Sequence, residues 1–210
     1  MPAYEIPKSL LRLGAIASIA AGILITTGFA LHPAGEDATY GTDPFWVPAH
    51  GVLWLAFVVA LLGWIAVYVV QASSAGRLGV VAFVVVIVGT SLASWIFSSD
   101  VAFVPVIAAE SPGLFKKIFT PPHLVLGLVS VLSWVAGVVL FGVSVIRAKV
   151  FRRSAGVLLA IGPVIIPIAY LSGLSVRFVA IGGGIMAAGQ IWLGYDLLRM
   201  LGRSTAGHTR

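Results

Sequence analysis

The sequence predicts an all-α polytopic membrane protein, with six transmembrane helices arranged as three helical hairpins and both termini inside. Three observations carry that prediction. The 210 residues are 60% hydrophobic and only 10% charged, with a mean hydropathy of +1.08. A soluble domain is roughly 45–50% apolar and about 25% charged, and a 210-residue globule could not hide this much apolar surface from water. The apolar residues fall into six runs of spanning length, and the positive charges fall mostly between alternate runs. A β-barrel would show alternation over about 10 residues, whereas these runs are continuously apolar. The chain 1–210 therefore reads as a single transmembrane domain.

A spanning helix needs roughly 20 apolar residues. The first run, 10–31, carries Arg12 near its start, where a long aliphatic stem lets the guanidinium reach the headgroups. The run is longer than the core of a secretory signal and no convincing A-x-A site follows, so it is expected to stay as a helix. The second and third runs, 52–70 and 78–97, flank the short segment Ala75-Gly76-Arg77. The fourth is 124–146. The fifth, 155–171, contains Pro163 and Pro167, each of which frees a carbonyl one turn earlier and bends the helix. The sixth, 178–198, holds Gly182-Gly183-Gly184, Gly189 and Gly194. Small residues let helix backbones approach closely. This helix is expected to pack in the bundle or to join a homo- or hetero-oligomer, with Gly184 at the close contact. Near its end Asp196 and Arg199 lie three apart and are expected to pair.

Charge orients the runs. With the N-terminus inside, the inner segments hold Lys8, Arg12, Arg77, Arg147, Lys149, Arg152, Arg153, Arg199, Arg203 and Arg210. The outer segments hold Lys116, Lys117 and Arg177, together with most of the acids. That bias follows the positive-inside rule. The basic pI of about 10.1 is thus a topology signal rather than a nucleic-acid footprint. Two outer loops are long. Within the second, Val101–Ala109 is apolar but too short to span, and is expected to lie in the interface or re-enter the bundle.

Short motifs recur at the span starts. Arg12-Leu13-Gly14, Arg77-Leu78-Gly79 and Arg153-Ser154-Ala155-Gly156 open the odd spans. Pro48-Ala49-His50 and Pro121-Pro122-His123 open the second and fourth. The pattern suggests three repeated hairpins. It also places His32, His50 and His123 at one outer level. Imidazole is the commonest metal ligand and also ligates haem. His32, His50 and His123, with the loop acids Glu36, Asp37, Asp43 and Asp100, are candidate ligands for a divalent metal. His50 and His123, with Arg177 available for propionates, are candidates for holding haem b. Interfacial capping or hydrogen bonding is the competing role for the histidines.

With no cysteine, thiolate metal sites and thiol nucleophiles are excluded. No nucleotide loop or Ser/His/Asp set is present, so an enzyme is not indicated. Trp46 and Trp95 suit an outer aromatic belt, Trp54, Trp64 and Trp134 suit the interior, and Gln190 is expected to hydrogen-bond another helix. The segments His32-Pro33, Trp46-Val47-Pro48-Ala49-His50, Ala75-Gly76-Arg77-Leu78-Gly79, Phe103-Val104-Pro105 and Ala109-Glu110-Ser111-Pro112 resemble an uncharacterised group of small six-helix membrane proteins of actinobacteria and related bacteria. The resemblance implies a multi-pass protein of a prokaryotic cell membrane and assigns no residue a role. Three functions remain: a binding or structural subunit packing against proteins or lipids, an electron-transfer protein with an outer histidine-ligated group, and a facilitator for a small neutral or lipophilic molecule.

Overall fold

The computed structural model describes residues 6–33, 40–114, 121–173 and 176–206. Among these there is no β-strand. The long elements are α1 (Lys8–Leu31), α2 (Trp46–Ala102), α4 (Pro121–Ala148), α5 (Arg153–Leu171) and α6 (Val176–Ala206). A 3-10 turn at Tyr40–Thr42 precedes α2, and a short α3 (Val104–Glu110) follows it. Four helical stretches are long and apolar enough to cross a membrane, and they include α1, α2, most of α4 and α6.

At 57 residues, a straight α2 would run for about 85 Å at 1.5 Å per residue, well beyond the roughly 30 Å of a hydrocarbon core. It is not straight. Gly76 has φ 57° and ψ −158°, a region of backbone space that is essentially restricted to glycine. The chain doubles back there into two limbs, 46–75 and 77–102. Tyr68 stacks on Phe83 at 4.2 Å and Phe57 meets Phe97 at 5.0 Å, pairings that only a fold-back brings together.

The remaining helices pack through glycines whose missing side chains let backbones touch. Gly28 and Gly63 set α1 against the first limb, beside Ala49, Leu53 and Ser18. A Cβ on Gly137 would lie 2.6 Å from the Val86 Cα, so α4 lies against the second limb with no room for one more carbon. Gly142 and Gly156 join α4 to α5 reciprocally, and Gly162 and Gly182 join α5 to α6 in the same way. Gly22 against Ala187 and Gly194 against Ala15 bring α6 back to α1. Across each seam the residue numbers rise on one helix as they fall on the other, so neighbours are antiparallel. Such approach lets many weak dispersion contacts accumulate where lipid leaves little hydrophobic drive between helices.

Aromatic side chains fill the middle. Trp64 sits edge-on to Phe141 at 5.1 Å, and Phe57 meets Trp134 at 5.2 Å. Leu53, Leu159, Met186 and Leu193 are fully buried around them. Large apolar side chains also face outward on each long helix, among them Ile16, Leu62, Val84, Leu128, Ile161 and Ile181. A lipid solvent accepts that arrangement and water does not.

Several expectations change. A Cβ on Gly184 would meet nothing within 4 Å, so the close contacts of α6 belong to Gly182, Gly183, Gly189 and Gly194 instead. Three adjacent glycines cannot all face the same neighbour, and Gly184 points away. Asp196 does not pair with Arg199: its Oδ1 lies 3.2 Å from Arg152 Nε, and its Oδ2 accepts from the Arg152 backbone N–H at 3.3 Å. Arg199 instead lies over the Tyr195 ring. Trp54 is exposed, while Trp64 and Trp134 are buried as expected. The Gln190 side chain has no hydrogen-bond partner among the described residues, although its backbone carbonyl accepts from the Ser18 hydroxyl at 2.8 Å. The short apolar stretch after the third run forms α3, which folds over the end of the bundle.

Candidate functional site at the histidine end

Where the two limbs of α2 meet at their open ends, five polar or aromatic side chains converge, four of them from α2. Trp46 opens the first limb and His50 follows one turn later, so their rings share a face and stack at 3.9 Å. The His50 Nδ1–H donates to the Trp46 carbonyl oxygen at 2.8 Å. A carbonyl can only accept, so Nδ1 carries the hydrogen and the neutral ring presents a lone pair at Nε2. That nitrogen faces Asp100 Oδ2 on the second limb at 3.7 Å. The Trp46 Nε1–H donates to the Asp100 carbonyl oxygen at 2.8 Å. From α1, His32 brings its ring to 4.9 Å from that of His50, with its Nδ1–H directed to the Pro33 carbonyl at 3.0 Å. Phe97 closes the apolar side of His50 at 5.9 Å.

The cluster is covered. Trp46, Val104 and Ala108 form a small second core, with Ile107 packed on it and Gly41 of the 3-10 turn against Val104 and Ala108. Thus α3, with Gly41 against it, packs on Trp46, which stacks on His50. His50 retains only 3% of its exposure.

Burial controls the charge states. All three titratable groups lie beyond the apolar runs 52–70 and 78–97. Burial lowers the His50 pKa to about 4, partly offset by the bond to Trp46 and assisted by the neighbouring His32. Burial raises the Asp100 pKa to about 7. Burial also lowers His32, against its bond to Pro33. The His50–Asp100 contact has the span of an ion pair, yet both shifts favour neutral groups. The stronger physical argument is desolvation, because separated charges cost more than they regain when water is excluded. Between about pH 4 and pH 7 the pair therefore holds one proton, on Asp100, facing the Nε2 lone pair. The arrangement can take up or release a proton near neutrality and can tie the two limbs together.

Of the residues expected to ligate a metal or haem, the structure brings His32 and Asp100 to His50. Asp43 serves a local turn, its Oδ1 accepting from the Phe45 N–H at 2.7 Å. Arg177 is exposed in the first turn of α6. Glu36 and Asp37 lie outside the described residues, as does the side chain of His123, whose backbone sits in the first turn of α4. Among the described residues no three His, Cys, Asp or Glu side chains are grouped to hold a metal.

Trp46 was expected in an aromatic belt, and its role here was missed. The signal was available: Trp46 and His50 are four apart in a helix, the spacing that stacks side chains. Asp100 is one of the acids expected near the histidines, and the fold-back at Gly76 is what sets it against His50. No family model, curated protein or solved structure matches this chain.

Proposed function

We propose that the protein is a multi-pass protein of a prokaryotic cell membrane that works as a compact binding or structural subunit. In this reading the apolar runs 52–70 and 78–97 of the two limbs of α2 each cross the bilayer, giving six spans in three hairpins, with His50 and Asp100 outside them. Both termini and the arginine-rich end are cytoplasmic, and the histidine cluster lies at the outer face. The distribution of Lys and Arg supports that orientation. The observation that carries the functional reading is the set of glycine-to-backbone seams between successive helices, closed around a centre filled by Phe57, Trp64, Trp134 and Phe141. A filled, close-packed centre suits a rigid body that presents its outside to lipids or partners. It does not suit a conduit.

The chain lacks cysteine, so single cysteines report topology cleanly. Thr205→Cys is expected to react with a membrane-impermeant maleimide only after the cells are opened, and Thr42→Cys is expected to react from outside. The reverse pattern would refute the orientation. Purified protein in vesicles should admit water and glycerol no faster than protein-free vesicles, and clear acceleration would establish the facilitator reading instead.

A further inference from the structure

At the opposite end of the bundle an open cavity of about 180 Å³ is lined by Val150, Arg152, Asp196, Arg199, Met200 and Arg203. It forms where the α4–α5 connection crosses the last turns of α6. Lys149 takes a left-handed φ of 57° and turns the chain so that Arg152 meets Asp196 through both its backbone N–H and its guanidinium. Trp192 lies under the Arg152 guanidinium at 5.9 Å. This double contact fixes the wall of the cavity and consumes its one carboxylate.

Two guanidinium groups of the lining have no carboxylate among the described residues, although Arg199 lies over the Tyr195 ring. Arg199 and Arg203 are one helical turn apart on α6, so they share a face. Like charges at this spacing repel, and an anion between them would relieve that repulsion. Guanidinium groups suit phosphate oxygens because their N–H donors form a planar fork. Met200 in the lining is apolar and exposed, and Tyr195, one turn before Arg199 and in contact with it, is amphipathic and exposed, as befits a glycerol backbone and the start of an acyl chain.

We propose that this cleft binds the phosphodiester of an anionic phospholipid, with Arg199 and Arg203 as the phosphate ligands and the Arg152–Asp196 pair as the positioning wall. The proposal rests on the membrane reading above, and it places the lipid in the cytoplasmic leaflet. A free phosphate ester offers the same chemistry without the acyl chains.

The full chain is reconstituted in nanodiscs containing equal parts phosphatidylcholine and phosphatidylglycerol, and lipids retained after detergent exchange are counted by native mass spectrometry. Wild-type protein is expected to retain phosphatidylglycerol in preference to phosphatidylcholine. Each basic residue near an anionic lipid surface is worth about five-fold, so Arg199→Gln with Arg203→Gln should reduce that preference by about 25-fold. Arg77→Gln, which also removes an inner charge but does not line the cleft, should lower it by no more than the about five-fold of one surface charge. Equal retention of the two lipids by wild type would overturn the proposal, as would equal losses in the double variant and in Arg77→Gln. Displacement of the lipid by millimolar inorganic phosphate or glycerol phosphate would assign the site to a soluble phosphate and overturn the lipid as its occupant. Wild-type competition reads this even if the double variant folds poorly. The Thr205→Cys labelling is separate. Selective retention with reversed labelling would keep the site and refute only its leaflet.

Discussion

Replacing Asp100 by Asn and, separately, His50 by Gln should give the protein two opposite pH dependences that the wild type conceals. In the folded chain His50 titrates at about 4 and Asp100 at about 7. Once unfolded, they return to 6.5 and 3.8. From about pH 4 to pH 6.5 each state therefore holds one proton, on Asp100 when folded and on His50 when unfolded. The pair's net contribution to the pH slope is close to nil. With Asp100→Asn only His50 remains. Its folded pKa is depressed, so the unfolded state binds the extra proton and stability is lost as pH falls below 6.5. Asp100 is not among the causes of the His50 shift, so that shift persists in the variant. At about 1.4 kcal/mol per pH unit, the variant should lose about 3 kcal/mol more than wild type between pH 6.5 and pH 4. With His50→Gln the sign reverses. The raised Asp100 pKa makes the folded state hold the proton, and stability is lost as pH rises from about 4 to about 7, by about 4 kcal/mol. His32, also lowered by burial, adds the same background to all three proteins and cancels in the comparison. The assay is reversible unfolding in mixed micelles, followed by tryptophan fluorescence at four pH values from 4.5 to 7.5. Three parallel curves would refute the reasoning, as would an Asp100→Asn curve that falls with rising pH.

Gly76→Ala should lower stability by about 1–3 kcal/mol through backbone strain alone, because a Cβ there meets nothing within 4 Å; thermal unfolding measures it. Gly184→Leu should be tolerated within about 0.5 kcal/mol, whereas Gly162→Leu, which would drive carbon into the Met186 and Gly182 backbone, should unfold the protein or broaden its size-exclusion profile. Lys149→Gly should raise stability by about 1 kcal/mol, since the residue holds a left-handed φ that costs a side chain about that much; the melting temperature reports the sign.

Reading from sequence succeeded where a local rule operates. Continuous apolar runs dictate helices in lipid whatever their neighbours do, and the recurring glycines after Arg12, Arg77 and Arg153 do sit at close contacts: Gly14 against Ala66, Gly79 against Ala75 and Ser144, Gly156 against Gly142. Composition cannot say which of several adjacent glycines faces a neighbour, because a rotation of 100° per residue separates Gly183 from Gly184. Asp196 illustrates the same limit: Arg199 is near in sequence, but Arg152 is near in space because the α4–α5 connection crosses α6. At the histidine end, His32 and His50 were legible as neighbours from their shared depth. Asp100 was legible as an acid at that level, but its contacts with Trp46 and His50 were not, because they join residues up to 54 apart across a turn set by a single glycine.

The seam between α1 and α6 makes the first and last helices of the chain neighbours, held by Gly22 against Ala187, Gly194 against Ala15 and the Ser18 hydroxyl on the Gln190 carbonyl. During synthesis α1 must wait, with its small-residue face open to lipid or to another protein, until the whole of the rest has been made. A chain stopped before α6 would keep that face bare. The same adjacency puts Lys8 and the last turns of α6 at one end of the bundle. The circle can therefore be cut elsewhere: a permuted chain joined from residue 206 to residue 8 and opened between Ser172 and Gly173 would keep each of the helix seams and change only the order in which they form.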